Sequence, residues 1–370
     1  MADARATTNG TVLTVDAGDY CVHLGRGLRH SFAMRISSAA PAHRYAVISD
    51  DQVAPRYGDA LVEALGGHGR SSLHVIPAGE AHKTRESWAR LTDDLLAAGC
   101  GRDTTIVALG GGVVGDLAGF VAATYMRGVP VVQCPTTLLA MIDASLGGKT
   151  GVDTAAGKNL VGAFHAPAAV LADVEVLATL PVEHRRAGLA EAVKHGVIAD
   201  ATYFAALDAS LTEILAGDPA RTLDAVTRSV EIKLAVVAAD EREHGKRKTL
   251  NFGHTIGHAV ELASGFALLH GECVSIGMVL EARIAERLGV AGHGTAGAIE
   301  HILARAHLPT TLPSTMGADA VLAATRLDKK SRAGAVEYAL PTRIGAMAEG
   351  DGDMTWAVRV DDALVREVLA

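Results

Sequence analysis

Short apolar runs alternate with helical stretches through the first half of the chain. Residues 45–49 (YAVIS), 72–76 (SLHVI), 105–109 (TIVAL) and 129–134 (VPVVQC) are rich in β-branched and aliphatic side chains. Strands separated by helical segments predict βαβ units and a parallel sheet. After about Pro181 the texture changes to Ala, Leu, Glu and Arg at helical spacing, as in residues 183–196 and 222–241, so the second half is expected to be mostly helical. No linker rich in Ser, Pro or Gly separates the halves. The boundary is therefore expected at residues 180–181, across a cleft between packed domains and not at a flexible tether. Binding sites favour such clefts.

Length supports two domains, since 370 residues with 49% hydrophobic side chains exceed what one core usually organises. Aromatics make up only 4% while glycine numbers 40, a balance suited to closely packed α/β layers. A formal charge of -8 gives no reason to expect binding to nucleic acid or an anionic membrane. An anionic substrate would have to be held by a local group of cations. Cys21, Cys100, Cys134 and Cys273 lack CxxC spacing and read as small buried residues in a reducing compartment. The N-terminus has no basic segment followed by an apolar one, and no apolar run reaches the roughly 18–20 residues of a membrane span. A cytoplasmic, soluble protein is expected.

Directly after TIVAL comes GGGVVGDLAG, with Gly110, Gly112 and Gly115 in GxGxxG spacing before a helical pattern. Such glycines let backbone N–H groups approach a pyrophosphate, and the helix N-terminus adds a positive dipole end. The same pattern also serves close packing, and Asp50 or Asp51 after the first strand reads either as a ribose ligand or as an ordinary turn acid. Next, Asp143, Lys149 and Lys158 sit in otherwise apolar, glycine-rich sequence, PTTLLAMIDASLGGKTG and GKN. Ammonium groups on glycine-flanked loops can reach an anionic group.

In the second half, NFGHTIGH places His254 and His258 four residues apart, on one face if helical, with Glu191 and His270 as further nitrogen or oxygen ligands. HxxxH without an adjacent Glu is not the zinc-peptidase pattern. Lys194, Lys233, Arg247 and the pair Lys329–Lys330 add cations that serve either as solvated helix charge or as an anion site.

Taken together and in this order, GGGVVGDLAGFVAATYMRG, PTTLLAMIDASLGGKTGVDTAAGKN, GLAEAVKHG, NFGHTIGHAVE, HGE and LDKK resemble the dehydroquinate synthases over residues 45–344. The resemblance implies a Rossmann-like NAD-binding α/β domain (residues 1–180), a mostly α-helical metal- and substrate-binding domain (residues 181–370), and an active site between them. It makes Glu191, His254 and His270 ligands of one divalent metal, Zn2+ or Co2+. It sets NAD+ against Asp50, Glu80, Lys83, Gly112, Gly115, Asp116, Thr136, Thr137, Asp143, Lys149, Lys158 and Thr179. Arg127, Lys149, Asn159, Lys194, Lys233, Arg247, Asn251, His258 and one of Lys329 or Lys330 become the substrate shell. The implied reaction belongs to the shikimate pathway. It turns 3-deoxy-D-arabino-heptulosonate 7-phosphate into 3-dehydroquinate by transient oxidation, phosphate elimination, reduction and intramolecular aldol closure, in a cytoplasmic homodimer.

Two positions depart from the family pattern: Asp153, where many relatives carry Asn, and Glu337, on a strand position that is often basic. Sister sugar-phosphate cyclases, aminodehydroquinate or valiolone-type, are the nearest rivals, but this chain keeps GGKTGV, ASLGGK, GKN and DKK. Iron-dependent alcohol or glycerol dehydrogenases share a GGGxxxD turn but perform net hydride transfer without so many phosphate-binding lysines. A non-enzymatic binding protein would have lost a ligand or a cation, and every matched position is filled.

Overall fold

The structure is a computed structural model, and it describes residues 6–9, 12–155, 157–326, 336–350 and 356–370. Lys329 and Lys330 lie outside the described residues. The chain divides into two compact units. The first comprises Met1–Leu180 with Thr222–Leu234, and the second Pro181–Arg221 with Ala235–Ala370.

The first unit holds strands β1 (Ala6–Asn9), β2 (Val12–Asp16), β3 (Cys21–Gly25), β4 (Arg44–Asp50), β5 (Ser71–Ile76), β6 (Thr104–Gly110), β7 (Val131–Pro135), β8 (Lys149–Thr154), β9 (Gly157–Phe164) and β10 (Ala169–Asp173). One sheet runs in the order β1-β2-β3-β10-β7-β6-β4-β5. From β3 to β5 every neighbouring pair is parallel, while β1, β2 and β3 form an antiparallel edge. The apolar runs are continuous because both faces of the sheet are covered. Ala46, Ile48, Ile106 and Ala108 pack with Leu91, Leu95, Leu117 and Val121 on one face. Tyr45, Val47, Val107 and Leu109 pack with Phe32, Ile36 and Leu61 on the other.

The chain leaves β4 to build β5 on one side and then β6 on the other, so the strand order reverses at β4. In open α/β sheets ligands bind beyond the carboxyl ends of the strands at such a reversal. Asp50 ends β4 and Gly110 ends β6.

The glycine-rich stretch from Lys149 onward was expected as loop and is instead a two-stranded antiparallel hairpin, β8–β9. Its glycines serve approach and not flexibility. A Cβ on Gly162 would lie 2.1 Å from the Thr150 carbonyl oxygen, and one on Gly151 would lie 2.8 Å from that of Val161.

The second unit is mainly helical, as its sequence texture predicts. Its core joins Ile256 and Val260 of the helix His254–Ala263 to Ile276, Leu280 and Ile284 of the helix His270–Arg287. Val321, Tyr338 and Val365 close it. No helix among the described residues is long and apolar enough to cross a membrane.

Candidate active site

Three helices of the second unit meet at close quarters because glycine lines their contacts. A Cβ on Gly277 would fall 2.0 Å from the Gly253 carbonyl oxygen, and one on Gly271 would fall 2.0 Å from that of Ala187. Gly253 takes a left-handed φ of 78° to start the helix His254–Ala263. Buried Glu281 accepts hydrogen bonds from the backbone N–H of Gly253 (2.7 Å) and Ile256 (2.9 Å), so a neighbouring helix satisfies this N-terminus.

This packing brings Glu191, on the helix Val182–Ala199, together with His254 and His270; one ligand atom from each lies within 4.8 Å of the others. His254 Nε2 stands 3.5 Å and His270 Nε2 3.7 Å from Glu191 Oε1. These separations are long for hydrogen bonds. They are close to the roughly 3.4 Å between two ligand atoms that share a tetrahedral ion at about 2.0–2.1 Å. The second nitrogens are already placed: His254 Nδ1 donates to the Phe252 carbonyl at 3.1 Å, and His270 Nδ1 lies 3.9 Å from Glu261 Oε2. Each imidazole is thereby turned with Nε2 toward the cluster, the arrangement outer partners impose on metal-binding histidines. The donor set therefore fits a divalent metal. Burial alone disfavours the imidazolium of His270, but the nearby carboxylates of Glu191 and Glu261 outweigh it and hold this group up to about 9.

His258 lies edge-on to His254 with ring centroids 5.2 Å apart. Lys194, almost fully buried, contacts the Glu191 carboxylate from the same helix. Arg247, also buried, donates to the Glu241 carbonyl oxygen at 2.5 Å, and Asn251 Nδ2 donates to Glu243 at 2.7 Å. Glu337 faces Lys248 at 3.4 Å, which accounts for an acid at that strand position.

In the first unit a second set of predicted residues gathers beyond β4 and β6. The helix Gly112–Thr124 begins with no side-chain cap, leaving its first N–H groups open to a ligand. The glycines have packing reasons of their own, since a Cβ on Gly110 would lie 2.6 Å from Val114 and one on Gly115 2.9 Å from Gln133 Oε1. Thr136 Oγ1 is buried with no hydrogen-bond partner among the described residues, whereas Thr137 Oγ1 accepts from the Ala140 N–H at 3.1 Å. A buried hydroxyl without a partner beside an uncapped helix start is what a bound polar ligand would satisfy. Asp50 accepts from the N–H groups of Gln52 and Val53, both at 2.9 Å, so part of its carboxylate is spent on the turn.

Lys83, 4% exposed, pairs with Asp116 at 2.6 Å and lies 3.7 Å from Glu80, which pairs with Lys158 at 3.2 Å. Burial works against the Lys83 charge, but the carboxylates around it prevail and raise its pKa. Lys233 donates to the Asp143 carbonyl oxygen at 2.5 Å and to its Oδ1 at 2.6 Å. Lys149 is exposed at the start of β8, and Arg127 is exposed on a left-handed turn at φ 68°. Thr179 Oγ1 meets the Tyr57 hydroxyl at 2.9 Å.

Sequence reasoning missed Glu261, Glu281 and Tyr57. Glu261 carried a signal, three residues after His258 on the same helical face. Glu281 and Tyr57 carried none, because only tertiary packing gives them their partners.

Comparison with known proteins identifies the family. Residues 73–187 match the family model "3-dehydroquinate synthase N-terminal", and residues 188–331 match "3-dehydroquinate synthase C-terminal". A 3-dehydroquinate synthase from Symbiobacterium thermophilum is 48% identical over 329 residues, 88% of this chain and 92% of that protein. A crystal structure of 2-deoxy-scyllo-inosose synthase with carbaglucose-6-phosphate, NAD+ and Co2+ superposes with a TM-score of 0.87 at 28% identity, covering 97% of this chain and 99% of that one. A 2-epi-5-epi-valiolone synthase from Streptomyces hygroscopicus subsp. jinggangensis with NAD+ and Zn2+ gives 0.85 at 31%, covering 99% and 98%. With both halves matched and nearly half of its residues identical to a relative over most of both chains, this chain belongs to the 3-dehydroquinate synthase family.

Proposed function

We propose that the protein converts 3-deoxy-D-arabino-heptulosonate 7-phosphate into 3-dehydroquinate and phosphate, as a carbon–oxygen lyase of the shikimate pathway working as a cytoplasmic homodimer. The observation that carries this reading is the convergence of Glu191, His254 and His270, with both imidazoles oriented, in a chain of this family.

NAD+ would supply a hydride acceptor and donor at one substrate carbon, which keeps the reaction redox-neutral, and a divalent metal would supply Lewis acidity at the attached oxygen. Glu191, His254 and His270 would hold the metal. Asp50, Glu80, Lys83, Gly112, Gly115, Asp116, Thr136, Thr137, Asp143, Lys149, Lys158 and Thr179 would receive the dinucleotide. The uncapped helix start and the partnerless Thr136 hydroxyl support that assignment.

The remaining residues would bind and move protons. Lys149, Asn159 and Arg247 hold the phosphate, and the two cations stabilise its charge as it departs. His258 gives or takes the proton at the C5 oxygen. Lys194, Lys233, Asn251 and Arg127 complete the shell, and one of Lys329 or Lys330 meets the substrate carboxylate.

The test is incubation of metal-loaded protein with the heptulosonate phosphate and catalytic NAD+. Phosphate and dehydroquinate should appear in equal amounts without net NADH, and His254→Ala should abolish both. Turnover of glucose 6-phosphate or a heptulose 7-phosphate instead would reassign the chain to the sister cyclases that its fold also matches.

A further inference from the structure

The β8–β9 hairpin keeps a regular register from the pair Lys149–Phe164 to the pair Val152–Val161, and resumes at Thr154–Gly157. Between these pairs a single residue of β8, Asp153, faces three of β9, Lys158, Asn159 and Leu160. Bulges of this kind re-aim side chains and cluster beside functional sites. Asn159 makes the bulge by taking a left-handed φ of 53°, a conformation that costs a non-glycine residue free energy unless something holds it.

Asp153 is what holds it. Its Oδ1 accepts from the Asn159 N–H at 2.9 Å. Its own N–H donates to the Lys83 carbonyl oxygen at 2.7 Å, which ties the bulge to the turn carrying Glu80 and Lys83. Glu80 on that same turn pairs with Lys158 of the bulge at 3.2 Å. One residue therefore touches the backbone of Asn159 and the backbone of Lys83.

We propose that Asp153 is a positioning residue for dinucleotide binding: through these two contacts it sets the bulge that presents Lys158 and Asn159 and fixes it against the turn that carries Glu80 and Lys83. The inference rests on the reading of Glu80, Lys83 and Lys158 as cofactor-binding residues.

Calorimetric titration with NAD+ tests this on the full-length wild-type protein, D153A and D153N. Asparagine keeps an acceptor for the Asn159 N–H, whereas alanine does not. D153A should weaken NAD+ binding about tenfold and D153N should stay within about twofold of wild type. If D153A does not fold, D153N still decides, because a tenfold loss there would show that a side-chain acceptor at this position is not what positions the bulge. Equal affinity for D153A and wild type, or equal loss in D153A and D153N, would each overturn the inference. Failure of wild type to bind NAD+ would sink the cofactor reading and the inference with it.

Discussion

His254 Nε2 and Glu191 Oε1 face each other at 3.5 Å from two different helices, with the histidine's other nitrogen already committed to the Phe252 carbonyl. The commitment means that the ring does not need to turn when an ion arrives. Such preorganisation gives the cluster a measurable dependence on residues that never touch the metal.

Glu261 is the first of these. Its carboxylate lies 3.9 Å from His270 Nδ1 and is nearly fully buried. Glu261→Ala should lower metal affinity by about 10- to 100-fold while Glu191, His254 and His270 all remain. Competition with a chelator of known affinity measures it; unchanged affinity would deny Glu261 this orienting role.

Proton and metal compete for His270. In the metal-free protein its pKa is raised from 6.5 to about 9, and an ion takes only the neutral ring. Metal binding should release a proton below about pH 9 and weaken steadily as pH falls toward 6. The raised value also has a sign for the metal-free fold. It contributes stability that is complete below about pH 6.5 and lost as pH rises through about 9. Metal-free protein should therefore melt at a lower temperature at high pH, and metal should restore most of the difference.

Lys83 and Asp116 form an ion pair at 2.6 Å with the lysine almost wholly enclosed. Lys83→Met strands a carboxylate and should cost about 3–5 kcal/mol in chemical denaturation. The double variant Lys83→Met, Asp116→Leu should recover much of that loss but not NAD+ binding. If the double variant is as unstable as the single one, the pair is not the source of the cost.

Glycines at helix contacts give a paired prediction. Gly277→Ala drives a Cβ to 2.0 Å from the Gly253 carbonyl oxygen and should cost about 3 kcal/mol or more, with lowered metal affinity because the two histidine-bearing helices separate. Gly297, within the helix Thr295–Arg305, has nothing within 4 Å of a built Cβ. Gly297→Ala should stabilise the protein by about 0.5–1 kcal/mol through helix propensity and a less mobile unfolded chain. Equal effects at the two positions would contradict the packing account.

Strands β4, β6 and β7 were legible because a strand covered on both faces leaves a continuous apolar run that no neighbour can disguise. The antiparallel edge and the β8–β9 hairpin were not. Glycine in KTGVDT and GKNLVGAF masked the strand pattern, and its purpose, closeness to the opposite backbone, exists only once the partner strand is in place.

Residue chemistry at short spacing belongs to the sequence. HxxxH, the glycine turn after TIVAL and the lysines among glycines could be read directly, because periodicity and backbone freedom act over a turn or two of chain. Tertiary structure decided which of those groups meet. It brought Glu191 to two histidines, gave Lys83 to Asp116, gave Glu337 to Lys248 and set Asp153 against Asn159 and Lys83. Hydrogen bonds and charge pairs act over a few ångströms whatever the separation along the chain, so their partners exist only after packing has chosen the neighbours.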